Sequence, residues 1–241
     1  MCDRCYPGSS HIVVPSRRAL LLGASVLLVG RLARAKEAKT PPKPQNVVSP
    51  EDALERLEDG NERYVEGVTR RHDFKHEREA LASGQNPYAA ILSCADSRIA
   101  PEYAFDSGRG DLFVCRVAGN FANDESVASL EYAVSVLATP LIMVLGHDAC
   151  GAVDATIKSL KDNTTLPGHL PSLVAGIAPA VKAVSGQAGD SLANAIKQNV
   201  IDNVAKLKSS APILSAAVEQ GKLRVVGGIY RLRTGKIDMV A

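Results

Sequence analysis

Short apolar runs recur along the chain, separated by longer segments whose apolar residues repeat with a helical period. Four of the runs are apolar at successive positions, which is typical of strands buried on both faces of a parallel sheet. These runs lie at 88–93, 111–117, 141–146 and 222–230. A fifth, shorter run at 236–240 follows a Thr-Gly pair and is a candidate antiparallel strand.

The segments between the runs predict helices. The sequence SPED at 49–52 is typical of a helix start, with a capping serine, a proline in the first turn and two acids after it. Helices are predicted at 50–66, 124–138, 151–161, 172–184, 190–208 and 211–220. Residues 67–87 are polar and contain Ser-Gly and Asn-Pro breakers, so no helix is assigned there.

Strands that alternate with helices predict an α/β fold. We expect a central, mostly parallel β-sheet of four to five strands, flanked by helices on both faces. The chain of 241 residues, of which 46% are apolar and 22% charged, has the composition of an ordinary globular protein. The folded domain is predicted at 50–241.

The basic residues are concentrated at the front of the chain. Residues 1–35 hold five arginines and one aspartate, a balance of +4, and because the whole chain carries +2, the remainder carries −2. A mildly acidic body gives no electrostatic reason to expect nucleic-acid binding.

The same front segment has the order of an export signal. Arg17-Arg18 precede an apolar stretch from Ala19 to Gly30, and Ala33-Arg34-Ala35 follow as a candidate cleavage site. The stretch is shorter than the about 20 residues that span a bilayer, and the arginine pair resembles a twin-arginine signal. We expect a signal peptide at 1–35, a Lys/Pro-rich linker at 36–49, a periplasmic location and no membrane association after cleavage.

An uncleaved helix on the membrane surface is the alternative interpretation of this segment. Cys2 and Cys5 form a C-x-x-C pair, but they lie ahead of the signal and would be removed with it. They are therefore assigned no redox or metal-binding role.

Metal-binding types of side chain directly follow two of the predicted strands. Cys94 comes after the first strand, and His147-x-x-Cys150 comes after the third. Ligand sites in open parallel sheets form at the carboxyl ends of strands where the connections diverge, so we expect these side chains to converge. Two thiolates and an imidazole suit Zn²⁺, and three protein ligands leave the fourth position open, as in catalytic zinc sites.

Taken singly, these residues have simpler interpretations. Buried cysteines are common as core residues, and Cys115 is interpreted in this way because it lies inside an apolar strand. Asp96 and Arg98 alone would form a surface ion pair of little consequence. Neither explanation accounts for the whole pattern, because Cys94 and Cys150 both follow predicted strands and Asp96 and Arg98 lie next to Cys94.

Four motifs now make a specific resemblance. They are CADSR at 94–98, RVAGN at 116–120, SLEYAV at 129–134 and GHDACG at 146–151. Their order and spacing resemble those of the β-class carbonic anhydrases. Residues 57–67 are similar to the N-terminal helix of that family and residues 225–237 to its closing strands, so the resemblance covers roughly residues 50–240.

The resemblance implies a zinc enzyme. One Zn²⁺ per subunit would be bound by Cys94, His147 and Cys150, and the family's catalytic dyad falls on Asp96 and Arg98. The implied reaction is the reversible hydration of CO₂ to bicarbonate and a proton by a metal-bound hydroxide. In that scheme the aspartate orients the zinc-bound water and the arginine holds the aspartate.

Further expectations concern the substrate and the assembly. Gly119 and Gly151 are candidate substrate contacts; Gly151 leaves room beside the metal and lets the backbone approach closely. The resemblance also implies a homodimer, or a dimer of dimers, with the N-terminal helix packed on the partner subunit.

Several alternatives stay open on the sequence. A few relatives hydrolyse CS₂ or COS on the same zinc site, and a homologue that binds zinc without catalysis is a structural alternative. A thiol redox protein using Cys94 and Cys150 is a third, and it would need free thiols. The sequence does not choose between an open zinc site and one closed by Asp96, nor does it assign a proton relay.

Overall fold

The computed structural model describes residues 48–241. Its elements, in chain order, are α1 (Pro50–Val65), α2 (Phe74–Leu81), β1 (Ala89–Ser93), α3 (Pro101–Ala104), β2 (Leu112–Arg116), α4 (Asp124–Ser135), β3 (Leu141–His147), α5 (Gly151–Lys161), α6 (Leu170–Ala183), α7 (Ser191–Ser209), α8 (Ile213–Glu219), β4 (Arg224–Tyr230) and β5 (Ile237–Met239). The predicted export signal, and all of the predicted linker except residues 48 and 49, lie outside the described residues.

The strands form one sheet in the order β2-β1-β3-β4-β5. The first four strands are parallel, and β5 pairs antiparallel with β4. The prediction of an α/β fold with a mostly parallel sheet is therefore confirmed. From β1 the chain proceeds to β2 on one side, and from β3 it proceeds to β4 on the other, so the connections diverge between β1 and β3.

Both faces of the sheet are covered, which explains why its strands are apolar at successive positions. Leu92 of β1 belongs to a buried cluster with residues of α4 to α8, including Ile177 and Val200. The preceding residue, Ile91, belongs to a second cluster with Leu57 of α1 and Phe105. Side chains alternate across a strand, so each face receives its own set of apolar residues.

The N-terminal helix begins where the sequence predicts it. The hydroxyl of Ser49 accepts a hydrogen bond from the backbone N–H of Asp52 at 3.0 Å, which caps the helix ahead of Pro50. Further along the helix, the buried amide of Asn61 donates to the carbonyl oxygens of Ala104 and Gly235. These two bonds hold α1 against both the short helix α3 and the turn that leads into β5.

The segment 67–87 differs from its prediction, because it contains the helix α2. The carboxylate of Asp73 caps this helix by accepting from the backbone N–H of His76 at 3.2 Å. None of its residues is buried. A helix without a buried face leaves no apolar stripe in the sequence, and the predicted breakers follow it rather than interrupt it.

Smaller differences concern the ends of elements. The helix predicted at 124–138 ends at Ser135, because Ala138 adopts a left-handed φ of 54° and Pro140 follows soon after. The four-residue helix α3 was not predicted. Within residues 48–241, no helix has both the length and the apolar character needed to cross a lipid bilayer.

Candidate metal centre

Three metal-binding side chains meet at the point where the connections of the sheet diverge. Cys94 directly follows β1, His147 is the last residue of β3, and Cys150 is the N-cap of α5. Their ligand atoms all lie within 4.8 Å of one another, and all three residues are buried. The two sulfur atoms are 4.0 Å apart. The structure thus brings together the three residues that the sequence proposes as zinc ligands.

The imidazole of His147 is oriented for metal binding. Its Nδ1–H donates to the backbone carbonyl oxygen of Asp148 at 2.8 Å, which leaves Nε2 as the free lone pair. Nε2 is buried and has no hydrogen-bond partner among the described residues. Because an unpaired buried polar atom is costly, this nitrogen fits a ligand that coordinates it. Two sulfurs and one such nitrogen form a donor set suited to zinc.

The two thiols hydrogen-bond to each other, with their sulfur atoms 4.0 Å apart. The thiol of Cys150 hydrogen-bonds to the sulfur of Cys94 and, against the effect of burial, lowers the pKa of Cys94 to about 4. The same interaction, together with burial, raises the pKa of Cys150. Burial works to lower the pKa of His147, but Cys94, the carbonyl oxygen of Asp148 and the charge of Asp96 together raise it above its usual value. Both thiols and the imidazole would have to be deprotonated to bind a divalent cation, so metal binding would release protons.

Asp96 and Arg98 form a two-pronged ion pair beside these ligands. Arg98 donates from Nε to Oδ1 at 2.9 Å and from Nη2 to Oδ2 at 2.7 Å, and its backbone N–H also donates to Oδ1 at 2.9 Å. This pairing holds the pKa of Asp96 well below its usual range and raises the pKa of Arg98. Oδ2 of Asp96 lies 3.8 Å from Nε2 of His147, so the charged carboxylate faces the metal-binding atoms.

Sequence reasoning assigned no site role to Arg116, whose guanidinium holds the loop that carries Cys94 and Asp96. It donates to the carbonyl oxygens of Cys94 at 3.0 Å, Asp96 at 2.7 Å and Ile99 at 2.9 Å. Its position at the carboxyl end of β2, next to β1, is the sequence signal that points to this role. Arg116 therefore fixes the loop conformation that places the ligand and the acid together.

The second ligand loop is held by Asp148. Its backbone N–H donates to the carbonyl oxygen of Tyr230 at 3.1 Å, and its carboxylate accepts from the backbone N–H of Leu232 at 2.9 Å. The next residue, Ala149, adopts a left-handed φ of 51°. This turn brings the chain from His147 back to Cys150, and the carbonyl oxygen of Ala149 accepts a hydrogen bond from Arg98 at 3.3 Å.

The two candidate substrate-contact glycines occupy different surroundings. A Cβ at Gly151 would meet no atom within 4 Å, so there is open space beside Cys150. A Cβ at Gly119 would lie 2.4 Å from Cδ1 of Ile177, and the backbone N–H of Gly119 donates to the sulfur of Cys94 at 3.3 Å. Gly119 contacts a metal ligand directly, and the substrate role of both glycines stays a prediction.

Comparison with known proteins agrees with this geometry. A family model described as carbonic anhydrase matches residues 89–237. The chain is also 40% identical over 190 residues to carbonic anhydrase 2 of Mycobacterium tuberculosis H37Rv, a match that covers 78% of this chain and 91% of that protein. The chain belongs to the β-carbonic anhydrase family. A carbonic anhydrase of Synechococcus elongatus is 34% identical over 173 residues, covering 68% of this chain and 63% of that protein.

Solved β-carbonic anhydrases share the fold. The structure of the β-carbonic anhydrase CcaA superposes with a TM-score of 0.60 at 29% identity, covering 78% of this chain and 98% of that one. A tetrameric β-carbonic anhydrase of Sordaria macrospora gives a TM-score of 0.61 at 23% identity, covering 69% and 87%. The β-carbonic anhydrases are zinc enzymes whose general reaction is CO₂ hydration, and the Cys-His-Cys group described above is a site that could hold the metal.

Proposed function

We propose that this chain catalyses the reversible hydration of CO₂ to bicarbonate and a proton, at one zinc ion per subunit held by Cys94, His147 and Cys150. The observation that carries the proposal is the buried triangle of ligand atoms, in which Nε2 of His147 is left without a hydrogen-bond partner among the described residues. The ion pair of Asp96 and Arg98, directly beside this triangle, supplies the acid–base machinery.

Bound zinc supplies a Lewis acid that lowers the pKa of a coordinated water to about 7. The contribution of the chain is to orient the reacting water. The carboxylate of Asp96 is acceptor-only when ionised, and Arg98 keeps it ionised. A water in the cleft therefore donates to Oδ2, the oxygen that faces His147, and points a lone pair at CO₂.

Arg98 has a second task in this proposal. Its two-pronged hydrogen bond engages both carboxylate oxygens of Asp96, while its contact with the carbonyl oxygen of Ala149 anchors the guanidinium to the other ligand loop. Asp96 is thereby restrained from swinging towards the metal position. This arrangement favours the open state of the site, in which the fourth coordination position is available to water.

Stopped-flow CO₂ hydration, with zinc content measured on the same preparation, tests the proposed reaction. We expect hydration that rises with pH as the nucleophile forms, and hydrolysis of COS and CS₂ that is much slower. One zinc per chain with no CO₂ hydration at any pH would refute the proposal. Turnover of CS₂ or COS in its place would assign the site to those substrates instead.

We further propose that the protein is a homodimer, alone or as part of a dimer of dimers. Large apolar side chains are exposed at the end of α1 and on the elements around it, and we call these residues the α1–α3 face: Tyr64, Val65, Val68, Phe74 and Tyr103. Four of them line a cavity of about 880 Å³. Contiguous apolar surface of this kind marks an interaction site on a soluble protein.

The export route is likewise a proposal, supported by the order of charged and apolar residues at 1–35. It predicts a periplasmic protein whose mature N-terminus lies near residue 36. Cell fractionation followed by N-terminal sequencing tests this directly. A mature protein that retains Arg17-Arg18 would contradict cleavage at the predicted site.

A further inference from the structure

Gly119 is held from both sides, and one of its two partners is a metal ligand. Its backbone N–H donates to the sulfur of Cys94 at 3.3 Å, and its carbonyl oxygen accepts from Nδ2 of Asn199 at 2.8 Å. We propose that Asn199 is a positioning residue for the metal centre, acting through Gly119 on the sulfur of Cys94. The inference rests on the proposed zinc site and adds to it a residue on α7 that touches neither metal nor substrate.

Asn199 belongs to a set of polar side chains on one face of α7. Asn199 and Asn203 are both buried, with 2% and 6% of their surfaces exposed. Nδ2 of Asn203 donates to the backbone oxygen of Asn199 at 2.7 Å and to its side-chain oxygen at 3.2 Å, which fixes the orientation of the Asn199 amide. Buried amides are costly unless they are paired, so this arrangement needs a structural reason.

The same helix face holds the rest of the loop that contains Gly119. Oδ1 of Asn203 accepts from the backbone N–H of Ala122 at 2.7 Å, and Nζ of Lys206 donates to the carbonyl oxygen of that residue. Residues 199, 203 and 206 are spaced by four and three positions, so they lie on one face of the helix. Three side chains of α7 therefore hydrogen-bond to the backbone of one short loop.

These hydrogen bonds stabilise a loop whose backbone conformation is unfavourable. Gly119 has a φ of 85° and Asn120 a φ of 43°, so two successive residues are left-handed. The side chain of Ile177 leaves no space for a Cβ at position 119. Only glycine can therefore occupy this position. The Gly119 carbonyl that Asn199 holds belongs to the peptide group between Gly119 and Asn120, and the N–H that donates to Cys94 belongs to the preceding peptide group. The two peptide groups meet at the Cα of Gly119, so the Asn199 bond restrains the direction of the N–H through that residue.

The direction of the Gly119 N–H has a chemical consequence at the sulfur of Cys94. An N–H bond to a thiolate withdraws negative charge from the sulfur, so less charge is donated to a bound cation. In a site with two thiolates, this donation weakens the Lewis acidity of the metal, and each N–H···S bond restores part of it. Losing the Asn199 contact should loosen the Gly119 bond, which makes Cys94 more strongly donating and less well fixed.

The test compares Asn199→Leu with Val204→Ala in the cobalt-substituted and zinc-loaded proteins. Val204 is buried on the same helix and packs towards Gly227 of β4, so its truncation disturbs the packing of α7 without touching the Gly119 loop. We expect Asn199→Leu to shift the thiolate-to-cobalt charge-transfer band to longer wavelength. We also expect zinc loss to a chelator to be about tenfold faster, the lower end of the usual effect of outer-shell changes. Val204→Ala should leave both readouts at wild-type values.

Asn199→Ala provides a second, smaller substitution if the leucine variant does not fold, and it should shift the band in the same direction. Bands and zinc-release rates equal to wild type in the folded Asn199 variant would overturn the proposal, and so would an equal shift in Val204→Ala. Failure of the zinc site itself would look different, because the wild-type protein would then show no thiolate-to-cobalt band at all.

Discussion

At the residue scale, the site depends on a few side chains whose charge states are set by their neighbours. Asp96 and Arg98 stand two positions apart in the sequence, and their pairing could be predicted from that spacing. The contact between the two thiols could not, because Cys94 and Cys150 come from different loops. The free Nε2 of His147 could not either, because it depends on the backbone conformation that brings the carbonyl oxygen of Asp148 to Nδ1. The residue types therefore predict which groups can bind a metal, and the fold decides which of them meet and which atoms are left free.

Asp96→Asn tests the role of the carboxylate. The amide has nearly the same shape, but it carries no charge and one of its two terminal atoms is a donor, so it is a poorer acceptor for the reacting water. We expect zinc content to stay at one per chain while kcat/KM for CO₂ hydration falls by about 100-fold or more. Asp154→Asn is the matched control, because Asp154 is an exposed aspartate paired with Lys158. Equal activity of Asp96→Asn and the control would contradict the role of Asp96.

Arg98→Met tests the cause of the lowered pKa of Asp96. A carboxyl whose folded pKa is depressed contributes stability above its unfolded pKa of about 3.9, and this stability is lost as pH falls through the folded value. The free energy of unfolding of the wild type should exceed that of Arg98→Met by a constant amount at roughly pH 5 to 7. The gap should shrink below about pH 4, as followed by urea unfolding at each pH. A gap that widens towards acid would show that the sign is wrong.

At the element scale, strands were easier to predict than helices. β1 and β3 are buried along their whole length, so their apolar runs stand out in the sequence. The helix α2 buries nothing and left no such pattern. The polar face of α7 is the opposite case: Asn199 and Asn203 lie among apolar positions, and their partners in the Gly119 loop are about 80 residues away in sequence. Such long-range hydrogen bonds form only when α7 packs on the loop, so the sequence around Asn199 and Asn203 does not predict them.

Gly119→Ala and Gly151→Ala form a pair that tests the loop and the helix start separately. Alanine at Gly119 would be forced into a left-handed conformation and would also meet the side chain of Ile177. We expect it to lower the free energy of unfolding by about 2–4 kcal/mol. Gly151 begins α5 beside open space, so alanine there should change stability by less than about 1 kcal/mol. Urea unfolding of both variants measures this, and equal losses would contradict the proposed difference.

At the scale of the whole molecule, the α/β fold class could be predicted because strands alternated with helices, and the convergence of the ligand motifs because they followed two strands. The strand order then explains the site, since β1 and β3 are neighbours although some fifty residues separate Cys94 from His147. Assembly could not be derived in the same way. An exposed apolar surface becomes visible only once the chain is folded, and the sequence offered only the family resemblance as a guide.

Tyr103→Arg tests the proposed dimer at this scale. Tyr103 has 76% of its surface exposed on the α1–α3 face, and a charge placed in a buried interface without a partner is strongly unfavourable. Sedimentation velocity should show a dimer or a dimer of dimers for the wild type and a smaller species for the variant. Val136→Arg is the control, because Val136 is exposed but lies outside the α1–α3 face, and it should keep the oligomeric state of the wild type. A wild-type protein that sediments as a monomer would refute the dimer.

The most direct test of the account is to remove zinc with a chelator, return it in measured fractions of one equivalent, and record the CO₂ hydration rate after each addition. The account predicts no hydration without metal and a linear rise that ends at one zinc per chain. Replacing Cys150 by serine should abolish that rise, because one of the three ligands is lost. A hydration rate that does not follow zinc, or a protein that takes up one zinc and stays inactive, would contradict the account.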